Sequence, residues 1–217
     1  RAREQGLVNI EMINIRDFSQ DKHKKVDDYP YGGGCGMVMK PEPIFEAVEF
    51  AEKDIDTKKR RIILLSPQGR VFNQEMAKDF SQEEHLVFIC AHYEGIDERV
   101  QTLVTDEVSL GDFILTGGEI PALAIIDATA RFIPGVLGSS ESYIDESFSD
   151  GLLEYPQYTR PRIFRDLKVP DVLLSGNHQE IELYRKKEAL KKTYKMRPDL
   201  LEGRKMTNFE KDILKKL

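Results

Sequence analysis

Three short apolar segments that alternate with helix-like segments most constrain how this chain can fold. The apolar segments are rich in Val, Ile and Leu and span residues 61–65, 85–91 and 107–110. A helical pattern follows each of them, at residues 73–80, 96–104 and 119–132. Strands that alternate with helices form parallel βαβ units, and helices then cover both faces of the sheet. The pattern therefore predicts an α/β fold with a parallel sheet.

Further elements are predicted on either side of this alternation. Residues 7–15 alternate apolar and polar side chains, which predicts a strand. Residues 41–53 begin with Pro and carry apolar side chains at helical spacing, which predicts a helix. A long polar segment occupies residues 134–155. After it, the pairs Asn177/Glu180 and Thr207/Glu210 have capping-box spacing and predict two C-terminal helices.

Charge is distributed unevenly along the chain. The formal net charge is −6, but residues 1–155 carry −13 and residues 156–217 carry +7. This asymmetry suggests two modules, of which the basic one either contacts an anion such as RNA or is a solvated helical surface. A hydrophobic content of 40% excludes a disordered chain, and no stretch is apolar enough to span a membrane. With no signal-peptide pattern at Arg1, we expect a cytoplasmic protein whose first residues are absent.

Glycine-rich loops are the first candidates for a ligand site. Residues 32–36 lack the Gly-Lys-Ser/Thr ending of a phosphate loop, so a tight turn or a close backbone approach is favoured over nucleotide binding. Three other loops that contain glycine, at residues 66–69, 92–95 and 111–118, follow the three apolar segments. Ligands of open α/β sheets bind outside the carboxyl ends of the strands. These loops are therefore either a ligand site or three ordinary βα turns.

Several common kinds of catalytic site are excluded by spacing. No two histidines are spaced as a metal pair, no nucleophile elbow is present, and Cys90 lies in an apolar segment that predicts an inert core thiol. Residues 141–150 are rich in carboxylates, which indicates either an acidic surface loop or a mobile loop that delivers a general base. Aromatic residues interleave with Arg at 155–162. Such residues can stack on RNA bases and contact phosphates, but they could also form a linker that packs on the protein body.

An ordered set of motifs is more specific than any of these patterns alone. The motifs span residues 26–37, 65–69, 92–99, 111–121, 131–138, 147–148, 158–161 and 169–178. Together they closely resemble the bacterial tRNA (guanine-N1)-methyltransferase family, of the SPOUT class, over essentially the whole chain. The resemblance implies an enzyme that moves a methyl group from S-adenosylmethionine to N1 of the guanine 3′ of the anticodon (position 37 of tRNA), which maintains the reading frame.

The resemblance also implies a fold that the sequence pattern does not predict. That fold is a SPOUT-type knotted parallel sheet with flanking helices, plus a small all-α C-terminal domain, in a homodimer whose active site is shared between subunits. Residues 1–137 would form the knotted cofactor-binding domain, 138–154 a flexible catalytic loop and linker, and 155–217 the helical tRNA-binding domain. Threaded chains are essentially absent from proteins, so the pattern alone predicts an unknotted sheet.

By the same resemblance, the cofactor lies in the knot and is held mostly by the backbone of the three loops. The implied cofactor-binding residues are Leu64, Leu65, Ser66, Pro67, Gln68, Gly69, Ala91, Glu94, Ser109, Leu110, Gly111, Asp112, Phe113, Ile114, Leu115, Gly117, Gly118 and Pro121. Ala91, Phe113 and Cys35 stand where the family commonly has Gly, Tyr and Gln. The resemblance further implies Mg²⁺, whose ligands would be oxygens and are not assigned.

The catalytic residues implied by the resemblance are an Arg and a carboxylate. Arg131 would stabilise charge that develops on guanine O6, and a carboxylate of the partner subunit would remove the N1 proton. The family usually has Asp directly before Ser-Phe, whereas this chain has Asp145 and Glu146 before Ser147. By spacing Glu146 takes the catalytic position, and Asp145 is the alternative. The basic module would bind tRNA. Its candidate contacts are Arg160, Arg162, Lys186 and Lys187.

Two other functions remain as alternatives. One is a related SPOUT-class methyltransferase with another RNA target. The other is a non-catalytic RNA-binding protein on the same scaffold. The intact glycine loops and Arg131 favour the enzyme over the binding protein.

Overall fold

The computed structural model describes residues 1–137 and 146–216, and the chain divides into two compact units, Arg1–Gly138 and Ser139–Leu217. The candidate base Asp145 lies outside the described residues. The elements of the first unit are, in chain order, β1 (Asp27–Asp28), β2 (Val38–Met39), α1 (Pro41–Glu52), β3 (Arg60–Val71), α2 (Gln74–Phe80), β4 (His85–Cys90), β5 (Asp106–Ser109) and α3 (Glu119–Ala130).

A three-stranded parallel sheet organises the first unit. Its strand order is β4-β3-β5, so β3 is central and pairs in parallel with both neighbours. Leu65 on β3 is in register with Cys90 on one side and Val108 on the other. The alternation of strands and helices in the sequence therefore predicted the fold class correctly: an α/β unit with a parallel sheet.

The side chains of β3 alternate between two hydrophobic cores. Ile62 and Leu64 point into a core with Ile44 and Val48 of α1, whereas Ile63 and Leu65 point into a second core. The second core also contains residues of α2 and α3, namely Met76, Phe80, Ala122 and Ile125. Since successive side chains of a strand face opposite sides, helices on both faces explain why this segment reads as an uninterrupted apolar run.

The predicted strand at residues 7–15 is wrong. Residues 7–14 pair with no strand in the described part of the chain, and Ile15–Phe18 form a short 3-10 helix instead. Met12, one of the alternating apolar residues, is 92% exposed. Alternation marks a segment that could cover one face of a sheet, but a strand also needs a partner for its backbone groups.

Two other element boundaries differ from the prediction. The helix predicted at 96–104 is only a 3-10 turn, Glu98–Thr102, which begins after the capping side chain of Asp97. The strand predicted to stop at Leu65 continues to Val71. Leu65 and Arg70 both align with Val108, so residues 66–69 leave the ladder and the chain then pairs with β5 again.

The second unit consists mainly of helices. Its elements are β6 (Ile163–Phe164), β7 (Leu167–Lys168), α4 (His178–Met196) and α5 (Asn208–Leu214). A small core of Leu152, Leu190 and Ile213 joins the segment before the hairpin to α4 and α5. Both predicted N-caps are confirmed, and Thr207 and Glu210 form a reciprocal capping box at α5. The antiparallel β6-β7 hairpin means that the unit is not exclusively helical.

Candidate active site

The loops that follow β4 and β5 meet at one edge of the sheet. The backbone N–H of Gly118 donates to the carbonyl of Ala91 at 3.0 Å, and His92 and Gly117 form an antiparallel bridge. These contacts join the loop after β4 to the loop after β5. The third predicted loop, residues 66–69, lies within β3, and its Gly69 packs against the backbone of strand β5.

The predicted cofactor residues differ in how much of each side chain is accessible. Leu64, Leu65, Ser109 and Gly118 are buried, so they could offer a ligand only backbone groups. Seven are partly buried, namely Ser66, Gly69, Ala91, Leu110, Gly111, Gly117 and Pro121. Seven are exposed, namely Pro67, Gln68, Glu94, Asp112, Phe113, Ile114 and Leu115. The exposed group contains three consecutive apolar side chains, which is unusual for a surface that nothing covers.

Close packing explains why two glycines open α3. A Cβ on Gly118 would lie 2.6 Å from Cα of Cys90, which is rigid backbone at the end of β4. A Cβ on Gly117 would lie 2.6 Å from Cε1 of His92 and 2.5 Å from Oε2 of Glu119. Glycine at position 118 therefore allows the helix to begin directly against the end of the strand, whereas at position 117 the neighbours are side chains that could move.

His92 and Glu119 form a contact that the sequence analysis missed. Nε2 of His92 lies 2.6 Å from Oε1 of Glu119, which joins the loop after β4 to the first turn of α3. Desolvation alone would raise the pKa of Glu119, but hydrogen bonds with His92 and with its own backbone N–H hold that pKa below its ordinary value. The two residues are 27 positions apart. An acidic residue in the first helical turn was the only local signal.

The glycine-rich residues 32–36 form a tight turn, as one of the two sequence interpretations predicted. The φ angles of Gly32, Gly33, Gly34 and Gly36 lie between +81° and +135°. A Cβ on Gly36 would lie 2.4 Å from Cγ of Glu94, so this turn packs against a predicted cofactor residue. What approaches the turn at Gly36 is a side chain, and not a second backbone.

A cavity of about 320 Å³ lies beside Gln68 and Gly69. Its other lining residues are Arg70, Met76, Thr105, Asp106 and Glu107, none of which belongs to the predicted cofactor set. Of the residues implied to bind the cofactor, Gln68 and Gly69 alone line this cavity.

The two cysteines differ in accessibility, which gives a direct test of this packing. Burial and the nearby charge of Glu119 raise the pKa of Cys90 to about 11, whereas Cys35 is exposed. A thiol reacts as its thiolate, so we expect iodoacetamide at mildly alkaline pH to modify Cys35 and spare Cys90 in the folded protein. Mass spectrometry before and after unfolding in urea measures both sites. Equal modification of the two thiols in the folded chain would contradict this packing.

The candidate catalytic residues belong to different compact units. Arg131 follows α3 directly in the first unit, where its backbone N–H donates to the carbonyl of Asp127. Glu146, in the second unit, begins a turn whose Ser149 N–H donates to the Glu146 carbonyl at 3.2 Å. The backbone N–H of Glu154 closes the same turn on Oγ of Ser147 at 2.9 Å.

The candidate RNA-binding residues are exposed in the second unit. Arg160 and Arg162 lie before the β6-β7 hairpin, and Lys186 and Lys187 lie on α4. Arg162 also pairs with Asp171, with Nη2 and Oδ1 2.9 Å apart. All four positions therefore present cationic side chains to solvent.

Tyrosines near the start of this unit pack on α4. The guanidinium of Arg185 lies 4.7 Å from the ring centroid of Tyr155. Burial, together with a hydrogen bond with Tyr158, raises the pKa of Tyr184 to about 12. For these residues the structure favours the interpretation of a segment packed on the protein body.

Metal binding has no support among the described residues. In residues 1–137 and 146–216, no group of three or more His, Cys, Asp or Glu is arranged to hold a metal ion. The Mg²⁺ implied by the sequence resemblance stays a prediction without assigned ligands.

In the described residues, 1–137 and 146–216, no helix is long and apolar enough to cross a membrane.

Comparison with known proteins gives a consistent result along the whole chain. The family model described as tRNA (Guanine-1)-methyltransferase TrmD matches residues 1–203. A protein of Dictyoglomus turgidum, named tRNA (guanine-N(1)-)-methyltransferase, is 55% identical over 100% of this chain and 87% of its own length. Proteins of the same name from Lactiplantibacillus plantarum and Staphylococcus aureus are 57% and 56% identical. They cover 98% and 100% of this chain, and 86% and 87% of their own lengths.

Proposed function

The chain belongs to the tRNA (guanine-1)-methyltransferase TrmD family, and we propose that it methylates N1 of the guanine 3′ of the anticodon, with S-adenosylmethionine as methyl donor. The family match over residues 1–203 is the observation that carries this function. The joined loops after β4 and β5 would supply a surface for the donor at the place expected in a parallel sheet. The proposed site of action is the cytoplasm.

The side chains and glycines of the predicted loops are chemically suited to an S-adenosyl group. The exposed side chains of Phe113, Ile114 and Leu115 offer apolar cover for an adenine ring, and Glu94 offers a carboxylate for an ammonium group. Gly111 and Gly117 are only partly buried and leave backbone groups accessible. When bound, the donor supplies an electrophilic methyl group on a sulfonium. Holding that methyl in line with its acceptor can lower the activation barrier by roughly 7–11 kcal/mol when the geometry is ideal.

Two residues of the chain would act on the guanine. N1 carries a proton at neutral pH and becomes a nucleophile when a base removes it, which is the role proposed for the Glu146 carboxylate. Negative charge then develops on O6, where the guanidinium of Arg131 would stabilise it. Methyl transfer is a direct displacement, so no covalent enzyme intermediate is required.

We also propose the knotted fold and a homodimer in which Glu146 reaches the active site of the partner subunit. Exposed apolar side chains in the first unit support dimerisation. Ile120 and Leu123 on α3 are 59% and 67% exposed, and Phe113 and Ile114 in the loop before α3 are also exposed. Large adjacent apolar side chains at a surface are typical of a protein interface.

Mapping the modified nucleotide separates this function from its alternatives. The protein is incubated with tRNA and S-adenosylmethionine, and the digested RNA is analysed by mass spectrometry. We expect 1-methylguanosine directly 3′ of the anticodon. A methylated nucleotide elsewhere would favour a related RNA methyltransferase, and binding of S-adenosylmethionine without any product would favour a non-catalytic RNA-binding protein.

The basic second unit is proposed to bind tRNA through its exposed cations. Replacing Arg160, Arg162, Lys186 and Lys187 together by Gln is expected to weaken tRNA binding and to flatten its salt dependence. Each phosphate contact that is lost should reduce the slope of log K against log salt concentration by roughly 0.7–0.9. Filter binding over a range of salt concentrations measures both effects.

The matched control removes the same charge from the first unit. Lys22, Lys53, Lys58 and Lys78 are exposed there, and their replacement by Gln should leave the slope unchanged. Equal slopes for the two quadruple variants would show that the charge asymmetry of the chain does not determine tRNA binding.

A further inference from the structure

A compact turn carries Glu146 on the second unit. The backbone N–H of Phe148 donates to the carbonyl of Leu152 at 2.7 Å, and the N–H of Leu152 donates to Oδ1 of Asp150 at 3.1 Å. Phe148 has φ +75°, a left-handed conformation that costs a residue with a Cβ about 1–2 kcal/mol. Such a conformation persists only where surrounding contacts fix it.

The turn is attached to the helices of the second unit. Leu152 is buried in the core with Leu190 and Ile213, and the N–H of Leu153 donates to Oγ1 of Thr193 at 2.8 Å. The guanidinium of Arg197 lies 5.9 Å from the ring centroid of Phe148. These contacts come from α4, the core and the residue that follows α4.

Arg204 is a long side chain that joins the middle of this turn to α5. Nη1 of Arg204 donates to the carbonyl of Asp150, and Nη2 lies 3.2 Å from Oε1 of Glu210. Glu210 is only 2% exposed, and its other carboxylate oxygen accepts from the backbone N–H of Thr207. The planar fork of the guanidinium therefore holds a backbone carbonyl of the turn and a buried carboxylate at the same time.

Gly151 shows how closely Arg204 approaches the turn. Its φ is +79°, and a Cβ at this position would lie 3.0 Å from Nη1 of Arg204. A side chain here would push the guanidinium away from the Asp150 carbonyl. The contact thus depends on glycine in the turn as well as on the fork of the arginine.

We propose that Arg204 is a positioning residue for the methyl transfer reaction, because it fixes the turn that carries Glu146. The proposal rests on the proposed function, in which the Glu146 carboxylate removes the guanine N1 proton. Arg204 touches neither tRNA nor cofactor in this role. It acts through Asp150 and so sets where Glu146 is held relative to α4 and α5.

The test compares Arg204→Met with Gly151→Ala in the full chain. Both variants are expected to lower kcat about 10-fold or more at saturating tRNA, because a misplacement of about 1 Å can cost 100-fold in rate. KM for S-adenosylmethionine should stay within about 2-fold of the original value, since the cofactor loops belong to the first unit. Hydrogen exchange at the amides of Phe148 and Leu152 should accelerate in both variants.

Three controls separate positioning from stability. Lys205→Met removes an exposed neighbouring cation and should leave kcat unchanged. Ile213→Val removes a methyl group from the core of the same unit and should lower Tm without lowering kcat. Methylation of tRNA by the unsubstituted chain tests the proposed function independently. If that chain does not methylate tRNA, the proposed function is wrong, and the role of Arg204 is not what has failed.

Two results would overturn the role of Arg204. One is an unchanged kcat in Arg204→Met or in Gly151→Ala. The other is a loss of kcat in Ile213→Val as large as in Arg204→Met at a similar Tm, because the effect would then follow stability alone.

Discussion

Replacing Glu146 by Ala is expected to abolish methyl transfer in a single turnover. Guanine N1 is a poor nucleophile while it keeps its proton, and general base catalysis of this kind typically contributes about 10²–10⁴-fold in rate. In this chain Glu146 directly precedes Ser147, the position where the family usually has Asp. Rapid-quench measurement with enzyme in excess over tRNA isolates the chemical step from product release.

Asp145→Ala is the matched comparison, and it is expected to keep most of the single-turnover rate. Glu146→Asp should also remain active, since it keeps the carboxylate and shifts it by roughly one methylene, a change that can cost up to about 100-fold. Loss of activity in Asp145→Ala together with activity in Glu146→Ala would reverse the assignment of the base.

Replacing Gly69 by Ala is expected to lower the free energy of unfolding by about 3 kcal/mol, the upper end of the usual cost of overpacking. The added Cβ would lie 2.3 Å from the backbone N of Val108 and 2.4 Å from the carbonyl carbon of Glu107. Both atoms belong to β5, which cannot rotate aside as a flexible side chain could. The loop at 66–69 would have to move, so the affinity for S-adenosylmethionine should fall as well.

Urea unfolding measures this cost, with Gly32→Ala as the control. A Cβ on Gly32 meets nothing within 4 Å, but its φ of +87° is left-handed. That substitution should cost only about 1–2 kcal/mol of backbone strain. If Gly69→Ala is no less stable than Gly32→Ala, the close approach of the loop to β5 is wrong.

The sheet was predictable because its signal is local. β3 and β4 contain apolar runs, and in β3 the consecutive residues Ile62, Ile63, Leu64 and Leu65 are all buried. The predictions that were wrong concerned segments whose structure depends on residues far away in the sequence. Residues 7–14 have the alternation of a strand without a pairing partner in the described chain. The return of Arg70 to the ladder required β5, which lies more than 30 residues further along the chain.

The candidate site was predictable in part for the same reason. The loops at 92–95 and 111–118 follow predicted strands, so their meeting at one sheet edge follows from parallel topology, whereas residues 66–69 interrupt a longer strand. The cofactor positions within them came from resemblance to a family and stay predictions. His92 with Glu119, and Arg204 with Asp150, join residues 27 and 54 positions apart, and no spacing rule could have paired them.

Transfer of a labelled methyl group from S-adenosylmethionine to two matched tRNAs tests directly whether the chain methylates guanine N1 beside the anticodon. The tRNAs differ only at the nucleotide 3′ of the anticodon, which is guanine in one and adenine in the other. We expect label in the guanine tRNA, recovered as 1-methylguanosine, and only background in the adenine tRNA. Equal labelling of the two tRNAs, or no labelling of either, would contradict this activity.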